Sequence, residues 1–196
     1  METAETVINV GSSGFGKSYI QGHDIEEFFS EGVFPIIVDK KMDHEQLAAS
    51  LGFQKMKLGH QAASKLEAER LQTILEKLKQ NGANGVLFTF KRGDFDLLEE
   101  DRIRFVNELS KALLSVSWPN LLVLEELRNY APSQSNDSKF HALRTIISEG
   151  RSVNTMFGAT CQMPQQVHFQ FFHVANIYRV FGLGNSNNKY QTLGIK

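Results

Sequence analysis

Apolar positions along the chain alternate between two spacings. Thr6-Val7-Ile8-Asn9-Val10 is a short β-branched run of the kind a buried parallel strand needs. Tyr19, Ile20, Ile25, Phe28 and Phe29 then recur at helical intervals, suiting a helix with one face on a sheet. Phe34-Pro35-Ile36-Ile37-Val38-Asp39 predicts a second strand, its proline near the start, where a missing N–H is tolerable. Residues 61–80 predict one helix: Leu71, Ile74, Leu75 and Leu78 share a face, and Lys65, Glu69, Glu76 and Lys79 lie largely elsewhere. Asn81 to Gly85 ends it, because Gly and Asn accept a left-handed cap.

The alternation continues. Val86 to Phe90 predicts a strand and Lys91 to Asp94 a turn; residues 100–116 return to helical spacing through Ile103, Val106, Leu109, Leu113 and Leu114. Trp118-Pro119-Asn120 breaks the chain before the apolar strand Leu121 to Leu124. A polar loop spans Ser133 to Ser138, a helix His141 to Ser148, and strands are expected at Met156 to Thr160 and Ala175 to Phe181. From Leu183 the chain is rich in Gly and Asn and is expected to be loosely held. Strands alternating with helices indicate an α/β fold with a mostly parallel sheet. No internal repeat or linker divides the 196 residues, so one domain over 1–196 is expected.

Residues 11–18, GSSGFGKS, fit the phosphate-binding pattern G-x-x-x-x-G-K-[S/T], which a chain of this composition matches by chance on the order of 0.01 times. The predicted strand before it and helix after it are the context that the motif requires. Gly11, Gly14 and Gly16 let the backbone come close to a polyphosphate. Backbone N–H groups of Ser12, Ser13, Phe15 and their neighbours, through Tyr19, would point at the β-phosphate from a helix N-terminus. Lys17 brings a point charge to the β- and γ-oxygens, and the Ser18 hydroxyl is placed to ligate Mg2+. ATP and Mg2+ are the expected ligands.

Hydrolysis needs an acid at a strand end beside this loop, to hold the water shell of the cation, and a second acid to orient the attacking water. Leu121-Leu122-Val123-Leu124-Glu125-Glu126 supplies both: Glu125 is the expected Mg2+-side acid and Glu126 the general base. The rest of the composition narrows the picture. A single cysteine, Cys161, excludes an intrachain disulfide framework and a Cys-rich zinc site. The six histidines, at 23, 44, 60, 141, 168 and 173, show no ligand-like spacing and read as surface or satisfied core positions. An acidic, polar N-terminus without an apolar core predicts no signal peptide, and no apolar run approaches the roughly 20 residues of a membrane span, so an intracellular chain is expected. A net charge of −1 argues against a monomeric non-specific nucleic-acid binder, though not against a ring with basic residues in its pore.

LLVLEELRNYAP (121–132) resembles the second nucleotide-binding motif of the FtsK–HerA superfamily of translocating ATPases. LRTIISEGRSVNTMFGATCQMPQQV (143–167) is similar to that family's helix, Gly-Arg turn and Ala-Thr-Gln strand end, and ANIYRVFGLGNSNN (175–188) to its final strand. With the phosphate loop, the four blocks keep the family's order and spacing over most of residues 6–188. The resemblance implies a P-loop NTPase three-layer sandwich, RecA-like and of the additional-strand class. It assigns Gln162 as the polar sensor of the γ-phosphate or lytic water, and Arg151 as an arginine finger reaching a neighbouring subunit, with Arg179 the other candidate for a contact in trans. The family usually has Asp-Glu where this chain has Glu125-Glu126; the longer side chain can still hold a magnesium-bound water.

The chain carries little beyond the ATPase core, as do the genome-packaging ATPases of membrane-containing icosahedral viruses. That likeness implies double-stranded DNA as the partner, a homo-oligomeric ring, expected to be a hexamer, capsid vertex proteins as further partners, and the host cytoplasm or a virion packaging vertex as the location. Lys91, Arg92 and Lys139 are the basic residues placed to touch DNA, or else ordinary solvated charges. Two other readings stay open. A small-molecule P-loop kinase fits the size and the loop, but no Arg-rich lid segment is present. A same-fold ATPase for secretion or phage assembly usually adds a membrane anchor.

Overall fold

A computed structural model describes residues 6–90 and 99–182, with the backbone alone at 60–62, 137 and 151. Among the described residues seven strands form one sheet: β1 (Thr6–Gly11), β2 (Phe34–Val38), β3 (Gln54–Leu58), β4 (Val86–Phe90), β5 (Asn120–Leu124), β6 (Thr155–Cys161) and β7 (Ile177–Phe181). Their order is β3-β4-β2-β5-β6-β1-β7, and every pairing is parallel. Seven helices connect them: α1 (Lys17–Ser30), α2 (Glu45–Ser50), α3 (His60–Lys65), α4 (Ala68–Gln80), α5 (Glu99–Leu114), α6 (His141–Glu149) and α7 (Gln170–Val174).

The apolar runs explain this layering. Every residue of β1, β2, β4 and β5 is buried, as expected of parallel strands covered on both faces. Alternate residues face opposite layers. Ile36, Val38, Leu122 and Leu124 pack with Leu71, Leu75, Phe105, Leu109, Leu143 and Ile146 from α4, α5 and α6. Ile37, Leu121 and Val123 pack with Ile25 of α1 and Leu47 of α2. The result is the expected three-layer sandwich. Between β1 and β5 lies one further strand, β6, which is the mark of the additional-strand class.

Two expectations need correction, and β3 adds a strand that no apolar run predicts. The helix expected over 61–80 is two, α3 and α4. Buried Leu66 turns into the core between them, and Glu67 takes an extended conformation (φ −103°, ψ 159°). Glu108 of α5 accepts the first N–H of α4, from Ala68, at 3.2 Å. The strand β3, QKMKL, lacks an apolar run because it lies at the sheet edge, where lysines (Lys55, Lys57) discourage pairing with other chains. The last strand starts at Ile177 rather than Ala175.

The register matters most for function. Val38 pairs with Leu124, Leu124 with Ala159, and Val10 with Cys161. The residues that follow therefore leave the sheet at one level: Asp39 after β2, Glu125 and Glu126 after β5, Thr160 to Gln162 at the end of β6, and Gly11 opening the phosphate loop after β1.

Candidate nucleotide site

The loop from Gly11 to Gly16 joins β1 to α1. Gly14 and Gly16 sit at φ 82° and 84°, in the left-handed region that favours glycine, and the space where a Cβ would stand is open at both. Gly11 is needed for another reason than the expected approach to phosphate: a Cβ there would lie 1.9 Å from the carbonyl oxygen of Phe181 on β7. The loop is tied to the same segment by the N–H of Ser12, which donates to the Gly182 carbonyl at 3.2 Å. Phe15 and Tyr19 are exposed beside the loop, and Ser18 is half-buried in the first turn of α1.

Lys17 is the electrostatic centre. It is buried, and its Nζ donates to the Ser12 carbonyl at 2.7 Å. Burial holds its pKa below the ordinary lysine value, while the nearby Glu126 and Glu125 pull the other way. The lysine and both acids thus face one another across the strand ends.

β6 holds the two acids. The Thr160 hydroxyl donates to Oε2 of Glu125 at 2.8 Å and accepts the backbone N–H of Glu126 at 2.8 Å. Burial pushes the Glu125 carboxyl up to about 7; the Thr160 bond and His44 oppose this, and Asp43 and Asp39 reinforce it. Glu126 sits at φ 60°, a strained conformation for a residue with a side chain. Its Oε1 accepts the Gln162 N–H at 3.2 Å, and its Oε2 is buried with no protein partner. A buried acceptor left open is costly, so this oxygen has capacity for a water or a substrate proton.

The other sequence-predicted residues lie elsewhere. Arg179, in β7, forks onto Asp24 of α1 in its own chain at 2.7 and 2.6 Å, so a contact in trans would require it to exchange that partner. Arg151 lies in the turn Gly150–Val153 that enters β6, a strand length of about 20 Å from the phosphate loop at the opposite end of the sheet. That backbone position is farther from its own chain's loop than an arginine side chain spans. Lys139, 46% exposed, is paired with Glu100 at 3.0 Å. Lys91 and Arg92 fall outside the described residues. Cys161 is buried, and burial with the neighbouring Glu126 pushes its thiol well up, away from nucleophile chemistry.

Sequence reasoning missed Thr160 as a shared anchor of both acids. It also missed Asp39 and His44, which reach the same end of the sheet from β2. Thr160 stood inside a motif, but which groups it joins depends on register. Among the described residues no helix is long and apolar enough to cross a membrane.

The all-parallel sheet, the extra strand and the loop with its facing acids define an α/β P-loop NTPase fold of the additional-strand class. No protein-family model matches the chain, and no curated protein matches it by sequence. Solved structures do match in fold. The genome packaging NTPase B204 from Sulfolobus turreted icosahedral virus 2, in complex with sulfate, superposes with TM-score 0.67 at 14% identity, over 98% of this chain and 81% of that one. VirB4 of Thermoanaerobacter pseudethanolicus gives 0.73 at 10% identity, over 97% and 81%. The bacterial conjugative coupling protein TrwB gives 0.62 at 13%, over 96% and 72%. B204 has also been solved in complex with ATP-gammaS. All three are P-loop ATPases of the FtsK–HerA type, so the resemblance read from the four sequence blocks is borne out at the level of fold.

Proposed function

We propose that this chain belongs to the FtsK–HerA ATPases and hydrolyses ATP to move double-stranded DNA, in the manner of a viral genome-packaging motor. One observation carries the hydrolytic part: the open, buried Oε2 of Glu126, a residue anchored through its N–H by Thr160 and through its other carboxylate oxygen by Gln162, and felt electrostatically by Lys17. That is what a general base for water needs beside a phosphate-binding loop.

In this reading the loop amides and Lys17 take the β- and γ-phosphate oxygens of ATP, with Lys17 leaving the Ser12 carbonyl to do so. Glu126 orients a water and accepts its proton as the water oxygen bonds to the γ-phosphorus and the β–γ bridging bond breaks. The electron pair of that bond leaves with ADP. Ser18 and Glu125 are the residues that would hold Mg2+, which when bound neutralises developing charge on the transferred phosphoryl group. They fit this role: a hydroxyl in the first turn of α1 and a buried carboxyl whose pKa of about 7 marks a place that favours a compensating cation. Gln162, half-buried beside Glu126, would sense the γ-phosphate.

Arg151 would complete the charge clamp of the next subunit, which requires a ring, a hexamer by resemblance. Lys91, Arg92 and Lys139 would line its pore. The host cytoplasm or the packaging vertex of a virion, with capsid vertex proteins as partners, completes the reading. What supports the DNA part is the named function of the packaging NTPase and the conjugative coupling protein that share the fold. The test is the ATPase rate of the assembled protein with and without duplex DNA. A rise on adding DNA is expected; hydrolysis indifferent to DNA would remove the translocase assignment and leave an ATPase of another cargo.

A further inference from the structure

The segment after β2 closes on Asp39. Oδ1 of Asp39 accepts the N–H groups of Lys41 at 2.8 Å and Met42 at 2.7 Å. Oδ2 accepts the N–H of His44 at 2.8 Å and faces His44 Nδ1 at 3.2 Å. Met42 is held at φ 69°, a left-handed conformation kept in place by these bonds. Burial works against ionising Asp39, but the bonds from His44 and Met42 outweigh it and keep the carboxyl below its ordinary value.

Asp39 therefore holds the imidazole in place through Nδ1. His44 is 2% exposed, and with Nδ1–H donated to Asp39 a ring carrying a single proton presents Nε2 as an acceptor. That Nε2 is buried with no partner. For packing alone, an apolar side chain would fill the place without an open acceptor. The surroundings explain the polar choice. Asp39 and Glu125 leave paired strands side by side, and the Glu125 N–H donates to the carbonyl of Val38, the residue before Asp39, at 3.0 Å. His44 also borders a groove of about 290 Å³ shared with Ser18, Tyr19 and Asp43. β6 braces the acids from one flank through Thr160, and His44 stands on the other.

We propose that His44 is a positioning residue of the nucleotide site. Its Nε2 accepts a hydrogen bond from a water beside Glu125 on the Ser18 side of the site, and Asp39 sets the tautomer that makes this possible. The inference rests on the ATP-hydrolysing reading and adds a residue that no block of sequence resemblance contains.

The test uses the full chain and two variants. His44→Asn keeps a donor at the place of Nδ1, toward Asp39, and deletes the acceptor at Nε2. His44→Gln keeps an acceptor at the place of Nε2 and loses the Asp39 bond. Expected is a fall in kcat of about tenfold or more for His44→Asn, with KM for ATP within about threefold, and recovery of most of the loss in His44→Gln. In 15N-histidine-labelled wild type, the His44 Nε2 resonance, assigned by its loss in His44→Asn, should have the acceptor signature. It should move with ATPγS and Mg2+ and stay put with ADP. Wild-type kcat in His44→Asn, or an Nε2 signal indifferent to ATPγS, overturns the proposal. A wild type that hydrolyses no ATP sinks the hydrolytic reading instead, and the resonance still decides whether His44 faces the terminal phosphate.

Discussion

Replacing Glu125 by Gln should make the protein more stable at alkaline pH while destroying its activity. Glu125 is 2% exposed, and its carboxyl is raised from the ordinary 4.5 to about 7, chiefly by burial. The direction fixes the sign. Between pH 4.5 and about 7 the folded protein keeps a proton that the unfolded chain has released, so stability falls as pH rises through that window. Below 4.5 the group contributes nothing; above 7 the full loss, about 3 kcal/mol, is in place. Gln is neutral throughout and of the same shape, and its amide oxygen can still accept the Thr160 hydroxyl now bonded to Oε2. At pH 8 in EDTA, Glu125→Gln should therefore exceed wild type by about 3 kcal/mol, a rise in Tm of roughly 6–12 °C for a domain of this size. At pH 4.5 the two should coincide. Urea unfolding at both pH values measures the gap. An equal gap at pH 4.5 and pH 8, or a wild type that gains stability toward pH 8, would refute the reasoning that burial governs this carboxyl.

Thr160→Val keeps the shape but strands Glu125 Oε2 and the Glu126 N–H, so a loss of about 2–4 kcal/mol is expected in urea unfolding, and Glu125 should ionise at still higher pH. Glu126→Gln removes the proposed base and leaves the phosphate loop untouched; ATPγS affinity should stay within about threefold while turnover drops by about a hundredfold or more, measured under single-turnover conditions. Near-normal turnover there would place the base elsewhere. Gly11→Ala would set a Cβ 1.9 Å from the Phe181 carbonyl oxygen, pushing β7 away from β1. A destabilisation of about 3 kcal/mol or more is expected by thermal unfolding, and a stable variant would show that β7 is held loosely.

How much of this was legible in the sequence depended on whether the information was local. The buried strands announced themselves through runs such as Val86 to Phe90, because a parallel strand covered on both faces has no polar face to show. The phosphate loop was legible because glycine, lysine and serine must stand at fixed offsets. The break at Leu66 and Glu67 was not, since the carboxylate that accepts the first N–H of α4 comes from Glu108, far along the chain. β3 escaped because an edge strand needs charges where a central one needs apolar residues. His44 was read as a satisfied core or surface position; it is buried, and one nitrogen is satisfied, but the other is open, and only the register of β2 against β5 brings it near Glu125.

Strain and unmet polar demand coincide at one end of the sheet. Of the three non-glycine residues at positive φ among the described residues, Met42 and Glu126 both lie there, as do the raised carboxyl of Glu125, the depressed ammonium of Lys17 and the open atoms of Glu126 and His44. None of these helps the fold, and a sequence selected for stability alone would replace each with a neutral or apolar group. They persist because the fully buried strands β1, β2 and β5 hold the crest rigidly from below. A site pre-organised in this way destabilises itself until charge arrives. Binding of an anionic polyphosphate and a divalent cation would meet the needs of Lys17 and Glu125 together, so the two ligands should stabilise the fold cooperatively, each raising the affinity for the other.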